Sequence, residues 1–589
     1  MRTIYCGQIN TVHIGKKITV CGWVNSVRNF GNMIFIEIRD REGIVQVLFE
    51  YNNSKNIFEL VSEVRNEFCV QVTGIVRSRG EKNINLKMKT GKIEILADFF
   101  KVINKSKPLP LDFHQHSKEE TYLKYRYLDL RRPEFTKRLI SRSKITHLIR
   151  NFMQREGFLD IETPILTKTT PEGARDYLVP SRIHKGKFYS LPQSPQLFKQ
   201  LLMIGGLDRY YQIVKCFRDE DLRSDRQQEF TQIDIESSFV TSNQIRATTE
   251  RLIRDIWQNI KGIELGKFPE ITFHEAMRRY GSDKPDLRNP MQIIDINDLF
   301  KNSDFKLFGM KVNNIKNRTA TICIPNGTKL SRKQIDEYEN LIKKYGIEKL
   351  IYIKINKHED GSIGFQGSTT KIFDKDITEN IIARTNAKDG DSLIIIANSI
   401  EKTTNALGAL RIKLGKDLKL SNNIFTPVWV IDFPMFTEDD KGYLCATHHP
   451  FTAPKFNCLE KLRTEPISVI SNSYDLVING YEIGSGSARI DDFTVQKAVF
   501  DILSISEHEQ KIKFGFFLEA LKFGTPPHAG IAFGLDRIVM LLTDTTNIRD
   551  VIAFPKTTAG SCLMTSTPAE IEPNSLLELG IQIIENKSY

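Results

Sequence analysis

The chain has 589 residues, too many for one hydrophobic core, so about three or four domains are expected. With 40% apolar and 26% charged residues it has the composition of a soluble globular protein. Lys and Arg number 83 against 72 Asp and Glu; the resulting charge of +11 suits a polyanionic partner, although a chain so loaded with Lys, Asn and Ile can reach it without selection for binding. The eight cysteines form no C-x-x-C pair and have no nearby His at zinc spacing, so they read as reduced thiols. Met1–Tyr5 lacks a signal-peptide core and no apolar run approaches membrane-spanning length. A cytoplasmic protein with no membrane partner is the expectation.

Residues 1–105 carry short strands at regular spacing: Ile18–Val24, Met33–Arg39, Ile44–Phe49, Cys69–Arg77 and Ile93–Ala97. Five strands with Gly-rich turns predict a small barrel of the oligonucleotide-binding type. In the second strand Ile34, Ile36 and Ile38 fall on one side and Phe35, Glu37 and Arg39 on the other. Phe35 is thus an aromatic on a polar face, placed either to stack on a base or to pack beneath a loop. A basic, Pro-containing linker follows over 106–132, and a helix is predicted from Pro133, with Leu139, Ile145, Leu148, Ile149 and Phe152 on one stripe before Gly157 and a strand ending at Pro164.

Tyr211–Glu220 and Glu229–Glu236 read as two strands joined by a charged loop. Period two places Arg218 with Glu220, and Phe230, Gln232, Asp234 and Glu236 together on the return strand. Such a face is either an ordinary charged surface or a bed for a purine and its phosphates. From 287 to 411 the texture changes to an α+β block: a strand over Thr319–Ile324, a helix over Lys333–Tyr345 stopped by Gly346, strands over Lys349–Lys354 and Ser392–Ile396, and a helix over Lys402–Leu414.

Tyr474–Ile478 and Tyr481–Gly484 flank Asn479-Gly480, the strongest two-residue hairpin signal. Pairing across that turn sets Val477 opposite Glu482 and Ile478 opposite Tyr481, so Asp475 and Glu482 share a face. Two neighbouring carboxylates form either a solvated acidic edge or, with substrate phosphates, a Mg²⁺ site. Gly530–Arg537 then reads as a buried strand entering a helix over Ile538–Leu542, with Arg537 at the junction. Val12–Lys16 opens no helix, Gly484-Ser485-Gly486 lacks the third glycine of a dinucleotide loop, and neither a P-loop nor an H-E-x-x-H zinc helix occurs.

These segments together resemble the three signature motifs of class II aminoacyl-tRNA synthetases: Gly157–Pro164, Phe217–Glu220 through Phe230, and Gly530–Arg537. Thr170–Tyr177, Gln193–Gln200, Gly281–Asp286 and His448–Thr452 extend the likeness, nearly end to end, to the bacterial-type aspartyl-tRNA synthetases. The resemblance implies an α+β multidomain fold: an OB-type barrel (1–105), a linker (106–132), an antiparallel catalytic sheet in two parts (133–286 and 412–560), an α+β insertion shared with an amidotransferase subunit (287–411), and a C-terminal extension (561–589). It also implies a homodimer through the first motif.

The implied reaction is ATP-dependent activation of L-aspartate to aspartyl-adenylate, then transfer to the 3′-hydroxyl of the terminal adenosine of tRNA(Asp), with tRNA(Asn) as a further candidate acceptor. Neither step needs a protein nucleophile, in keeping with the lack of a Ser/His/Asp or Cys/His constellation. By the same resemblance Arg218, Arg537 and Glu482 carry the chemistry; Arg218 grips the α-phosphate, Phe230 and Arg537 sandwich adenine, and Asp219, Glu220, Gln227, Gly534, Leu535 and Asp536 complete the ATP site. Asp475 and Glu482 would hold Mg²⁺. Lys199 and Arg489 would take the aspartate side chain, and Asp234 and Glu172 its ammonium, with Ser194, Gln196, Leu197, Phe198 and either His448 or His449 around them. Phe35, Gln46 and Glu94 fall at anticodon-contacting positions. The alternatives are an asparaginyl- or lysyl-tRNA synthetase, which would not need the Lys199 and Arg489 pair, and a non-catalytic RNA-binding relative, against which the intact Arg218, Glu220, Asp475, Glu482 and Arg537 argue.

Overall fold

A computed structural model of the chain describes residues 1–113, 118–169, 173–300, 306–307, 310–311, 316–359, 361–366, 373–422, 424–456 and 459–584. It divides into two compact units, residues 1–144, 222–224 and 547–570 in one, and 145–221, 225–546 and 571–589 in the other.

In the first unit five strands close into a barrel in the order β1 (Lys17–Asn29), β2 (Met33–Asp40), β3 (Gly43–Glu50), β5 (Ile93–Asn104) and β4 (Cys69–Ser78). β3 and β5 run parallel; the other neighbours are antiparallel. Alternation sorts the side chains: Ile34, Ile36 and Ile38 are fully buried, whereas Phe35 and Glu37 between them are half-buried. Helix α1 (Lys55–Ser62) is capped by Ser54, whose hydroxyl accepts from Ile57 N–H, and delivers Phe58 and Val61 to the barrel core.

The second unit is built on an eight-stranded sheet. Helix α2 (Pro133–Arg155) belongs to this unit from Ile145 on, where Ile145, Ile149 and Phe152 are buried, and leads to β6 (Leu159–Asp160). The expected strand to Pro164 is thus only two residues long, pairing parallel to β7 (Arg209–Phe217). With α3 (Gln196–Ile204) before β7, the sheet continues through β8 (Glu229–Ser238) and its far edge strand β9 (Glu270–Thr272), which helix α4 (Phe273–Tyr280) follows. β7 ends at Phe217, so the expected period-two pairing of Arg218 with Glu220 does not arise; Asp219 turns aside and its N–H donates to the Arg175 carbonyl at 3.1 Å.

A separate five-stranded antiparallel sheet is then made by β10 (Ile293–Asp295), β11 (Asn317–Ile324), β12 (Ile351–Lys357), β13 (Ile363–Gln366) and β14 (Ser392–Ser399), in the order β10-β11-β14-β12-β13. Helices α5 (Arg332–Lys343), α6 (Lys375–Thr385) and α7 (Ile400–Asp417) accompany it. Both faces of β14 are covered, Ile394 and Ile396 packing with Leu407 and Leu410 of α7, and Leu393 and Ile395 with Phe365 and Phe373. That explains an unbroken apolar run instead of alternation.

The chain then returns to the large sheet as β15 (Pro427–Ile431), β16 (Ser473–Ile478), β17 (Tyr481–Ala488) and β18 (His528–Gly534), followed by helix α8 (Leu535–Leu542). The order is β9-β15-β16-β17-β18-β8-β7-β6, antiparallel except for its two edge pairs. Asn479 and Gly480 both have positive φ, 54° and 84°, as a tight hairpin turn requires. Val477 pairs with Glu482 and Ile478 with Tyr481, as expected, but a bulge before Val477 shifts Asp475 opposite Ser485.

Candidate active site

Four ionic side chains meet on the central strands. Lys199, from α3, places Nζ 2.7 Å from Asp234 Oδ1 and 3.3 Å from Glu236 Oε2. Glu236 accepts two hydrogen bonds from Arg489, Nε at 2.9 Å and Nη2 at 3.0 Å. Arg489 also donates through Nη1 to Ser487 Oγ at 2.7 Å and lies 2.8 Å from His449 Nε2. Lys199 is 1% exposed, Asp234 and Glu236 0%, and Arg489 4%, so none of these charges relies on water.

Burial alone would raise the Glu236 carboxyl, yet Arg489 and Lys199 outweigh it and bring its pKa down to about 2. Burial dominates at Asp234 and raises its carboxyl above the usual range despite Lys199. Burial and the neighbouring Arg489 hold His449 far below its ordinary pKa, as a neutral ring. Room for the Glu236 carboxylate comes from Gly530, opposite it on β18, where a Cβ would overlap its oxygens.

Four buried polar atoms of these surroundings, Asp234 Oδ2, Gln196 Nε2, Arg218 Nε and His448 Nδ1, have no hydrogen-bond partner among the described residues. An acceptor and several donors in a dry setting are expected to be satisfied by something. Leu197 belongs to the aromatic cluster of Phe451, Phe500, Phe514 and Phe517, while Ser194 and Phe198 are half-buried. Glu172 lies outside the described residues.

Beside this network, the Arg218 guanidinium stands 5.1 Å over the Phe230 ring. Arg537, in the first turn of α8, donates from Nη1 to the Glu482 carbonyl at 2.7 Å and pairs with Asp225 at 3.1 Å. Asp536 accepts the Thr231 N–H at 3.0 Å, which fastens α8 to β8 just past Phe230. Gly534 pairs with Gln232, and Leu535 is buried. In the intervening loop Glu220 pairs with Arg226 at 3.1 Å, Tyr177 reaches Asp219 at 3.5 Å, and Gln227 is buried.

The carboxylate hairpin has acquired partners that sequence reasoning did not assign. Asp475 Oδ1 lies 3.3 Å from His448 Nε2, and Glu482 Oε2 lies 2.9 Å from Lys284 Nζ. Burial pulls His448 down, but Asp475, Glu482 and Asp283 outweigh it and raise its pKa. Burial likewise works against ionisation of Glu482, and Lys284 and Arg537 overcome it. Among the described residues no group of three or more His, Cys, Asp or Glu has metal-binding geometry. Two carboxylates still fit Mg²⁺, which is commonly held by one or two acids with substrate phosphates. Glu236 could have been picked out from its place on the Asp234 face, and Lys284 from a lysine set between two acids in Asp283–Asp286.

In the barrel the three expected residues come together. Arg28 donates to Gln46 Oε1 at 2.8 Å, Gln46 to Glu94 Oε2 at 2.7 Å, and Arg77 to Glu94 Oε1 at 2.8 Å. The Phe35 ring is met edge-on by Phe30 at 5.8 Å, and Arg28 stands 5.9 Å from it.

An antiparallel sheet bearing a ring with a guanidinium over it and a dry ion network, in one chain with an oligonucleotide-binding barrel, is the architecture of a class II aminoacyl-tRNA synthetase. Residues 118–558 match the family model described as class II tRNA synthetases (D, K and N), and residues 18–103 match that of the OB-fold nucleic acid binding domain. The chain therefore belongs to the D, K and N group of class II tRNA synthetases, ligases that act on ATP and tRNA. Its fold is similar to the crystal structure of asparaginyl-tRNA synthetase from Pyrococcus horikoshii complexed with asparaginyl-adenylate, with a TM-score of 0.59 and 19% identity over 97% of this chain and 100% of that one. Among the described residues no helix is long and apolar enough to cross a membrane.

Proposed function

We propose that the amino acid is L-aspartate and the product aspartyl-tRNA(Asp). The observation that carries this reading is the charge of the buried network. Within it Lys199 and Arg489 balance Asp234 and Glu236, and the half-buried Arg218 beside it adds a third positive charge against those two negative ones. Aspartate, with net charge −1, neutralises the set; asparagine leaves one cation uncompensated, and lysine adds another. In a dry site such an imbalance is heavily penalised.

The partnerless atoms supply the orientation. Asp234 Oδ2 accepts from the substrate ammonium, Lys199 and Arg489 face its side-chain carboxylate, and Gln196 Nε2 donates to the amino acid. Arg218 draws the α-carboxylate and the α-phosphate together. The α-carboxylate attacks the α-phosphorus of ATP, pyrophosphate leaves, and the 3′-hydroxyl of tRNA then attacks the activated carbonyl. Alignment and charge neutralisation carry both steps. Phe230 and Arg537 flank adenine. Asp475 and Glu482 would hold Mg²⁺, which when bound neutralises the phosphate charge. A homodimer, a cytoplasmic site and anticodon reading by Phe35, Gln46 and Glu94 belong to the same reading.

Pyrophosphate exchange by Arg489→Leu tests it: the KM for aspartate should rise at least about a hundredfold while the KM for ATP changes little. Exchange at wild-type aspartate concentrations would remove Arg489 from the pocket. Aminoacylation of purified tRNA(Asp) and tRNA(Asn) decides the range of acceptors.

A further inference from the structure

The loop Gly281–Asp286 follows α4 and lies against the carboxylate hairpin. Lys284 Nζ stands 2.9 Å from Glu482 Oε2, with the two side chains 34% and 26% exposed. Arg537 approaches the other Glu482 oxygen at 4.0 Å, and Asp283 lies in the field of both Asp475 and Glu482. A partly exposed ammonium thus pairs with a carboxylate that the reading above assigns to a metal ion.

The loop is firmly built. Lys284 N–H donates to Ser282 Oγ at 3.0 Å, and Asp286 holds Arg288 in a two-pronged pair at 2.9 and 2.7 Å. A Cβ on Gly480, at the tip of the hairpin, would stand 3.3 Å from the Asp286 side chain, so loop and hairpin are in direct contact. From the other side, Arg411 of α7 donates to three main-chain carbonyls, Asp286 at 2.9 Å, Asn289 at 2.6 Å and Met291 at 2.6 Å. Gly281, at φ +64°, ends α4 against Gly408 of α7, and a Cβ on either would overlap the other's backbone. Helix α7 closes the five-stranded insertion, so the insertion backs the loop that presents Lys284.

We propose that Lys284 is a phosphate-binding residue of the nucleotide site, paired with Glu482 in the nucleotide-free protein and exchanging that partner for the triphosphate, and that α7 positions it through Gly408 and Arg411. The inference rests on the nucleotide reading above. An ammonium and a divalent cation compete for the same carboxylate; once the cation takes Glu482, Lys284 faces an anionic tail with three donors. An ordinary surface ion pair would have no such consequence for ligand binding.

Calorimetric titration of the full chain with ATP and with adenosine, both in MgCl₂, tests it. Lys284→Ala is expected to weaken ATP by about tenfold or more while adenosine stays within about twofold, and Lys284→Arg to retain most ATP affinity. In the absence of nucleotide, Mn²⁺ followed by electron paramagnetic resonance should bind Lys284→Ala more tightly than wild type, because the competing ammonium is gone. Gly408→Ala should lose ATP affinity selectively, as Lys284→Ala does. Equal ATP affinity in Lys284→Ala and wild type, or equal losses for ATP and adenosine, overturns the role of Lys284. Unchanged ATP binding in Gly408→Ala overturns the brace. A wild-type protein that binds neither ligand would instead bring down the nucleotide reading, and this inference with it.

Discussion

Replacing Glu236 by Gln tests the buried ion network most sharply, because this carboxylate bridges both cations and is fully buried. Its pKa falls from 4.5 to about 2 on folding. At about 1.4 kcal/mol per pH unit that shift corresponds to roughly 3 to 4 kcal/mol of stability at neutral pH. Removing one partner of a buried charge pair gives a similar figure, roughly 3 to 5 kcal/mol. The sign follows from a depressed carboxylate pKa: the stabilisation is complete above about pH 4.5 and is lost as pH falls through about 2. Urea denaturation followed by fluorescence in a Trp23→Phe background reads the second unit, since Trp257 and Trp429 are the remaining tryptophans. Glu236→Gln should be destabilised by about 3 kcal/mol at pH 7, and the gap should close as the pH is lowered through the acid range. A difference under about 0.5 kcal/mol at pH 7, or one that does not change with pH, would refute the reasoning.

Gly530→Ala should displace the Glu236 carboxylate that a Cβ there would overlap, and therefore raise the KM for aspartate in pyrophosphate exchange without altering that for ATP. Phe35→Ala should lower kcat/KM for tRNA by about 5- to 150-fold, the equivalent of losing roughly 1 to 3 kcal/mol of base stacking, and leave pyrophosphate exchange unchanged; steady-state aminoacylation reads both.

The barrel, the two central hairpins and the α+β insertion were legible because period-two alternation, an Asn-Gly turn and runs such as Leu393–Ile396 are local signals. What failed was set by distant partners. β7 stops at Phe217 because Asp219 pairs with Arg175, and the strand after Gly157 shrinks to Leu159–Asp160 because only those residues find β7. The strand Ile363–Gln366, only four residues long, shows no periodicity of its own. In the site, the carboxylate hairpin could be paired on paper and Glu236 placed on the Asp234 face, whereas the partners that give Glu236 its role could not be read. That role depends on Lys199 from a helix and Arg489 just beyond β17, elements that only the folded sheet brings to one carboxylate. The same holds for Lys284, whose neighbour Glu482 is remote in sequence.

The central claim is that an excess of one positive charge, supplied by Arg218 beside a balanced buried network, selects an amino acid with one negative charge. ATP–pyrophosphate exchange by the wild-type protein with L-aspartate, L-asparagine and L-lysine tests it most directly. The charge count predicts exchange with aspartate and at least about a hundredfold lower kcat/KM with the other two. Exchange driven by asparagine or lysine as efficiently as by aspartate would contradict it.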